Sequence, residues 1–274
     1  MKKALLYLFL FIFIQFFVQW AVFAAWMLAS GDGVDAVMRA FGGGNMSAIT
    51  PPMLVAASAA SSAAAIALFA WRRFAPMSPT YLRTRPWGVF FWCAVASIGT
   101  IIPSAGLQEL LPALPDLSGD TFKVVMDNDY GYFVLCLLVP FAEEVVFRGA
   151  ILHALLEKMK SHWAAIAVSA LVFSVAHGNP AQMPHALLVG LLLGWMYYRT
   201  GSILPGVALH WVNNTAAYAI YILFPHSADM QLSDMFGGNT NNVVLAVVFS
   251  LFILLPAIYQ LNIWMKRADA PRIK

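Results

Sequence analysis

Eight stretches of this chain are apolar over lengths that a soluble core could not absorb. They fall at residues 4–29, 52–71, 87–111, 131–156, 162–178, 184–199, 203–224 and 242–265, set against the ~20 residues a helix needs to cross a bilayer. The fifth and sixth are short, as expected of tilted, partly buried or broken helices. The third contains Pro103 and Gly106, which predict a break ahead of Leu110-Leu111. Composition agrees: 61% of the residues are hydrophobic and 11% charged, where a soluble domain carries about 25% charged residues. The chain therefore reads as an all-α, polytopic membrane protein. No polar stretch is long enough for a second folded unit, so residues 1–274 are expected to form one membrane domain. The net charge of +3 is small and its basic residues are spread over the loops. No nucleic-acid partner is expected.

Loop charge orients the spans. With both termini cytoplasmic, the inner segments hold Lys2, Lys3, Arg72, Arg73, Arg83, Arg85, Lys158, Lys160, Arg199, Lys266, Arg267, Arg272 and Lys274, and the outer loops only Arg39 and Lys123. Asp32, Asp35, Asp116, Asp120, Asp127, Asp129, Asp229 and Asp234 lie outside. This is the positive-inside pattern, and one miscounted span would destroy it in every later loop. The run at 4–28 exceeds the ~7–15 residues of a signal-peptide core, so it reads as a retained first span. Cys93 and Cys136 sit in separate runs and read as small hydrophobes rather than a disulfide or a catalytic thiol. The Ala/Ser segment 56–65 reads as a face for close helix packing. The outer segment 225–242 is polar, with several Asn and two Gly, and reads as a mobile loop.

Against this background three polar motifs stand out inside the runs: Glu143-Glu144-x-x-x-Arg148, Phe173-x-x-x-His177 and His210-x-x-x-Asn214. Ionisable groups in hydrocarbon are costly and usually mark function. Glu143 and Glu144 are about 100° apart around a helix, so they cannot point at one spot. Arg148 follows Glu144 at i+4 and can pair with it, leaving Glu143 free for chemistry. The plainer alternative is that all three form one structural network. His177 could equally be a satisfied helix-end residue, whereas His210 and Asn214 share a helix face and point towards a polar cavity. His153, His162 and His185 fall near loop ends, where solvated or interfacial roles are expected. At about 1.5 Å per residue, Glu143 lies about 18 Å from the outer start of its span, and His210 and Asn214 about 10 and 16 Å from the inner start of theirs. His177 comes out about 22 Å from the inside on the same rise and needs a tilted or late-starting helix to join them.

The three motifs, in this order on successive spans, resemble the CPBP family, which contains CAAX-prenyl endopeptidases and bacteriocin-processing or self-immunity (Abi) proteins. The likeness rests on residues 141–149, 173–178 and 210–214, within a core of about 131–220. It implies an intramembrane endopeptidase in which Glu143 and His177 activate water, His210 and Asn214 stabilise the oxyanion, and Glu144 and Arg148 hold the site in shape. Those residue types suit peptide hydrolysis: a base for water, an acid for the leaving amine, and preset donors for the tetrahedral oxyanion. No cofactor is favoured. The chain lacks H-E-x-x-H, although Glu143, His177 and His210 remain a possible three-ligand zinc set. The expected partners are the lipid bilayer and a membrane-associated peptide or protein substrate; nothing in the sequence fixes an oligomeric state. The Met1-Lys2-Lys3 start and short loops fit a bacterial inner membrane. The competing readings are a non-catalytic scaffold or bacteriocin self-immunity protein using the same cavity for binding and, less favoured, a secondary transporter, which the lack of internal repeats disfavours.

Overall fold

A computed structural model of the chain describes residues 1–43, 49–76, 79–224 and 230–267. Asp229, Arg272 and Lys274 of the charge pattern, and residues 225–229 of the outer segment, lie outside the described residues. Among the described residues there is no strand, and ten helices carry the architecture. They are α1 (Lys2–Ala29), α2 (Val34–Gly43), α3 (Pro51–Trp71), α4 (Trp87–Glu109), α5 (Gly119–Met126), α6 (residues 133–156), α7 (His162–Ala176), α8 (Met183–Thr200), α9 (Leu204–Leu223) and α10 (Thr240–Trp264).

Each of the eight apolar runs lies on one of these helices. α1, α3, α4 and α10 are individually long and apolar enough to cross a membrane. The outward faces of α1 and α10 are greasy: Phe9, Phe13, Phe16 and Phe17 on one, Phe249 and Phe252 on the other, are all exposed. Such surfaces belong against lipid, and the protein is an integral membrane protein. The polar motifs sit instead on α6 to α9, which are shorter or less apolar. α6 is the centre of the bundle. It packs against α1, α3, α7, α8 and α9, and every residue from Glu144 to Leu152 is buried.

Local sequence explains the outer packing. On α3, Ala57, Ser61, Ser62 and Ala65 are buried, and their small size lets α1 approach. The Ser61 hydroxyl donates to Gln15 Oε1 at 2.8 Å across that seam. α4 and α10 meet where Gly99 faces the Leu254 backbone; a Cβ there would sit 2.9 Å from it. α4 ends ahead of Leu110-Leu111, as its sequence predicts, but not at the proline itself. The helix passes through Pro103 and stops at Glu109, with the Thr100 and Ser104 hydroxyls donating to Ser97 O and Ile101 O around the proline. Such local side-chain bonds accommodate proline in membrane helices. Both cysteines are buried free thiols. In the polar segment before α10, Leu232 is buried and Ser233 N donates to Glu109 Oε1 at 2.9 Å, so residues 230–239 dock onto the end of α4 rather than hang free.

One polar latch ties the connection between α4 and α5 to the turn between α7 and α8. Asn179, fully buried, donates to Asp116 Oδ1 and to Ser118 Oγ, each at 2.8 Å, and accepts from Leu117 N at 3.0 Å. Partial burial works against the charged Asp116 carboxylate. The Ser118 and Gly119 N–H groups, Asn179 and the Lys123 charge outweigh that and hold its pKa below the usual value. A carboxylate depressed in the folded state contributes stability above its unfolded pKa and loses it as pH falls through the folded value. Protease protection of segment 110–126 is therefore expected to decline below about pH 4, and Asp116→Asn to flatten that dependence. Limited proteolysis across pH 3–7 in detergent checks this, and an unchanged profile in the variant would refute it.

Candidate active site

The site is organised by the irregular backbone of α6. Pro140, buried in mid-helix, has no N–H to give. Around it the helix widens to i→i+5 bonding over Phe133–Leu138, with Val139 N–H on Val134 O, and again over Glu144–Leu152. Wide turns of this kind concentrate at functional positions. In this ladder the carbonyl of Leu135 would be served by residue 140, which is the proline. The orphaned Leu135 O accepts instead from Asn214 Nδ2 of α9 at 2.9 Å. A carbonyl can only accept, so this contact sets which end of the Asn214 amide faces α6.

Just beyond the proline lie the two glutamates, with His210 set between them. His210 Nδ1 is 3.3 Å from Glu144 Oε1, and its Nε2 is 3.6 Å from Glu143 Oε2. Arg148 Nη1 lies 3.0 Å from the same Glu144 oxygen, both side chains being essentially sealed from solvent. Arg148 also reaches Gly190 O at 3.4 Å and lies over the Phe173 ring at 4.1 Å. The acidic pair thus divides in space as helical spacing predicts, Glu144 facing inward to Arg148. Glu143 keeps 17% of its side chain exposed and lines a cavity. Close approach of α9 depends on Gly206: any Cβ there would collide with Glu144 Oε2.

That cavity, about 670 Å³, also receives His177, His210 and Asn214. All four residues singled out for chemistry therefore share one hollow. His177 needs no special tilt. It follows the end of the 15-residue α7, and the cavity extends to that end of the bundle, where Asp116, Asp120 and Lys123 form its mouth. Its Nδ1–H donates to Phe173 O at 2.9 Å, which leaves the Nε2 lone pair of the neutral ring free. Phe173 stands edge-on to both imidazoles, 4.7 Å from His177 and 5.8 Å from His210. The aromatic member of the second motif is thus a spacer that fixes both rings.

His185 departs from its expected interfacial role. It lines the cavity, and its Nδ1 lies 2.9 Å from Ser104 Oγ. Its position eight residues past His177, after Pro184 at the start of α8, is a signal that sequence reading passed over. His153 and His162 keep peripheral places: His153 meets Tyr197 OH at 3.1 Å, and His162 stacks on Tyr198 with ring centroids 4.2 Å apart.

Both ring nitrogens of His210 face carboxylates. Among the described residues no group of three or more His, Cys, Asp and Glu is placed to hold a metal ion.

Fold and site together define an all-helical integral membrane protein with a polar cavity at its centre. Residues 130–216 match the family described as type II CAAX prenyl endopeptidase, Rce1-like. The match covers the same segment as the three motifs, and at family level it is to a protease. No curated protein and no solved structure matches the chain.

Proposed function

We propose that this protein is an intramembrane endopeptidase that hydrolyses a peptide bond of a membrane-associated peptide or protein, without a metal. The observation that carries the proposal is the single cavity shared by Glu143, His177, His210 and Asn214 within the segment matched to the protease family. Glu143 takes a proton from water as the oxygen attacks the scissile carbonyl. His177, with Nδ1–H on Phe173 O, presents Nε2 to accept a hydrogen bond from that water, which orients it and helps activate it for transfer of its proton to Glu143. The second Nδ2–H of Asn214 donates to the oxyanion. His210 has a further requirement. Its Nδ1–H donates to Glu144, so donating through Nε2 as well requires the doubly protonated ring. The proton held by Glu143 then passes to the leaving amine.

The proposal extends to the whole chain as one membrane domain of about eight spans, with both termini cytoplasmic in a bacterial inner membrane. On that orientation the mouth at Asp116, Asp120 and Lys123 opens outward. A substrate presented from the outer face, such as a signal peptide or leader remnant, fits better than a cytoplasmic prenylated C-terminus.

Purified protein is expected to cleave membrane-tethered test peptides, Glu143→Ala and His177→Ala are expected to be inactive, and a strong chelator is expected to change nothing. Equal activity in wild type and both variants would reject the protease reading. Inhibition by chelator that zinc reverses would reject the metal-free one. Accumulated precursors in Glu143→Ala cells, read by membrane proteomics, would identify the substrate.

A further inference from the structure

A peptide brought into a cavity within a membrane carries its own N–H groups, and each must find an acceptor or cost free energy. Asn214 and His210 serve the scissile carbonyl, and Glu143 and His177 the attacking water. His185 supplies an acceptor that neither step uses. Ser104 on α4 gives its only hydroxyl proton to Ile101 O at 2.9 Å, so towards His185 its oxygen accepts. The 2.9 Å contact between them is therefore His185 Nδ1–H to Ser104 Oγ. In the neutral ring that leaves a lone pair on Nε2. Ser104 is buried, so the Nδ1 edge of the ring is turned into the protein and the opposite edge towards the cavity that His185 lines. Depth puts this acceptor beside the chemistry. Two contacts fix the antiparallel register of α7 and α8: the Ser174 hydroxyl donates to Met183 O at 2.7 Å, and a Cβ on Gly190 would lie 3.1 Å from Ala170 Cβ. Between those contacts, His185 comes level with the stretch of α7 that carries Phe173, about one helical turn from His177. Phe173 itself stands edge-on to both His177 and His210.

We infer that His185 is a substrate-binding residue, whose Nε2 accepts a hydrogen bond from a backbone N–H of the bound peptide close to, but not at, the bond that is cut. Ser104 fixes the tautomer that makes this possible. The inference rests on the protease reading for the nature of the occupant. Its consequence is a specificity. A segment with a free N–H at that position is bound, and a proline there, which has no N–H to give, is rejected. The cost arises because an acceptor inside the cavity is left without its partner. His185 takes no part in proton transfer.

The test removes the substrate N–H groups one at a time. In a set of membrane-tethered peptides, each backbone amide except the scissile one is replaced singly by an ester, which puts oxygen in place of N–H and adds no bulk. In wild type, one replacement is expected to lower kcat/KM by about 10- to 100-fold, the range for a hydrogen-bonding group left unpaired, and the others by far less. A wild-type series in which no replacement costs more than about twofold would overturn the inference, and it needs no variant to fold. In His185→Phe the parent peptide is expected to lose a similar factor and the sensitive ester nothing further. A full additional penalty in that variant would overturn the inference; a purely structural His185 would slow every peptide alike. A binding arm needs no turnover. The same peptides displace a fluorescent parent peptide from Glu143→Gln protein, and the sensitive ester is expected to bind about 10- to 100-fold more weakly. Equal binding would overturn the inference. A position-specific loss of binding in a protein that cleaves nothing would uphold the His185 contact and reject the protease reading. Cleavage at equal rates for every ester would overturn the contact and leave the protease reading standing.

Discussion

Glu143→Gln is expected to abolish hydrolysis while leaving the fold intact. The substitution keeps side-chain volume and shape and removes only the ability to take a proton. General base catalysis contributes about 10²–10⁴-fold, so kcat is expected to fall by about that factor. Glu143 owes little to the architecture: it keeps 17% exposure in the cavity wall and is 3.6 Å from His210, beyond a true hydrogen bond. The same change one residue on should behave differently. Glu144 is fully buried between Arg148 and His210, so Glu144→Gln is expected to lower both thermal stability and rate. Initial rates on a tethered peptide, with unfolding midpoints measured on the same detergent preparations, separate the two. A Glu143→Gln protein that keeps its rate within twofold would remove Glu143 from catalysis. If it also complemented fully in cells, the cavity would be one for binding rather than hydrolysis.

The bundle was legible in the sequence because hydrocarbon imposes a length and a composition that few other folds require. The runs at 4–29 and 242–265 need no tertiary context to be read as helices that face lipid. The Glu144–Arg148 pairing was legible for a local reason, since i and i+4 meet on any helix. Depth was harder. Counting residues from each apparent boundary put His177 out of reach of Glu143, because it treated every span as a straight rod starting at one plane. The widened turns of α6 and the 15-residue length of α7 break that assumption. A change from i+4 to i+5 bonding leaves almost no trace in a sequence; Pro140 is its one visible sign. His210 between two carboxylates, and His185 reaching Ser104 some 81 residues away, depend on which helices become neighbours, and local pattern does not encode that.

Arg148→Met is expected to be the most damaging single change to stability. It replaces a long side chain by another that can follow a similar path but carries no charge. Glu144, with 0% of its side chain exposed, would then be buried without its cation. Breaking a buried pair from one side costs about 3–5 kcal/mol, enough to unfold many proteins outright, and here it would also free Phe173 from the guanidinium that lies on it. Removing both charges is a different matter, because a neutral, well-filled replacement of a buried pair is often close to neutral in stability. Glu144→Gln/Arg148→Met is therefore expected to recover most of the loss, read as unfolding midpoints in detergent. Activity should not recover with it. His210 Nδ1 would then face a neutral amide in place of the Glu144 carboxylate that now receives its N–H. A stable but slow double variant is thus the signature of a pair whose arginine balances a charge and whose glutamate serves the site. Arg148→Met as stable as wild type, or a double variant no better than the single, would show that the charge on Glu144 is balanced by something other than Arg148.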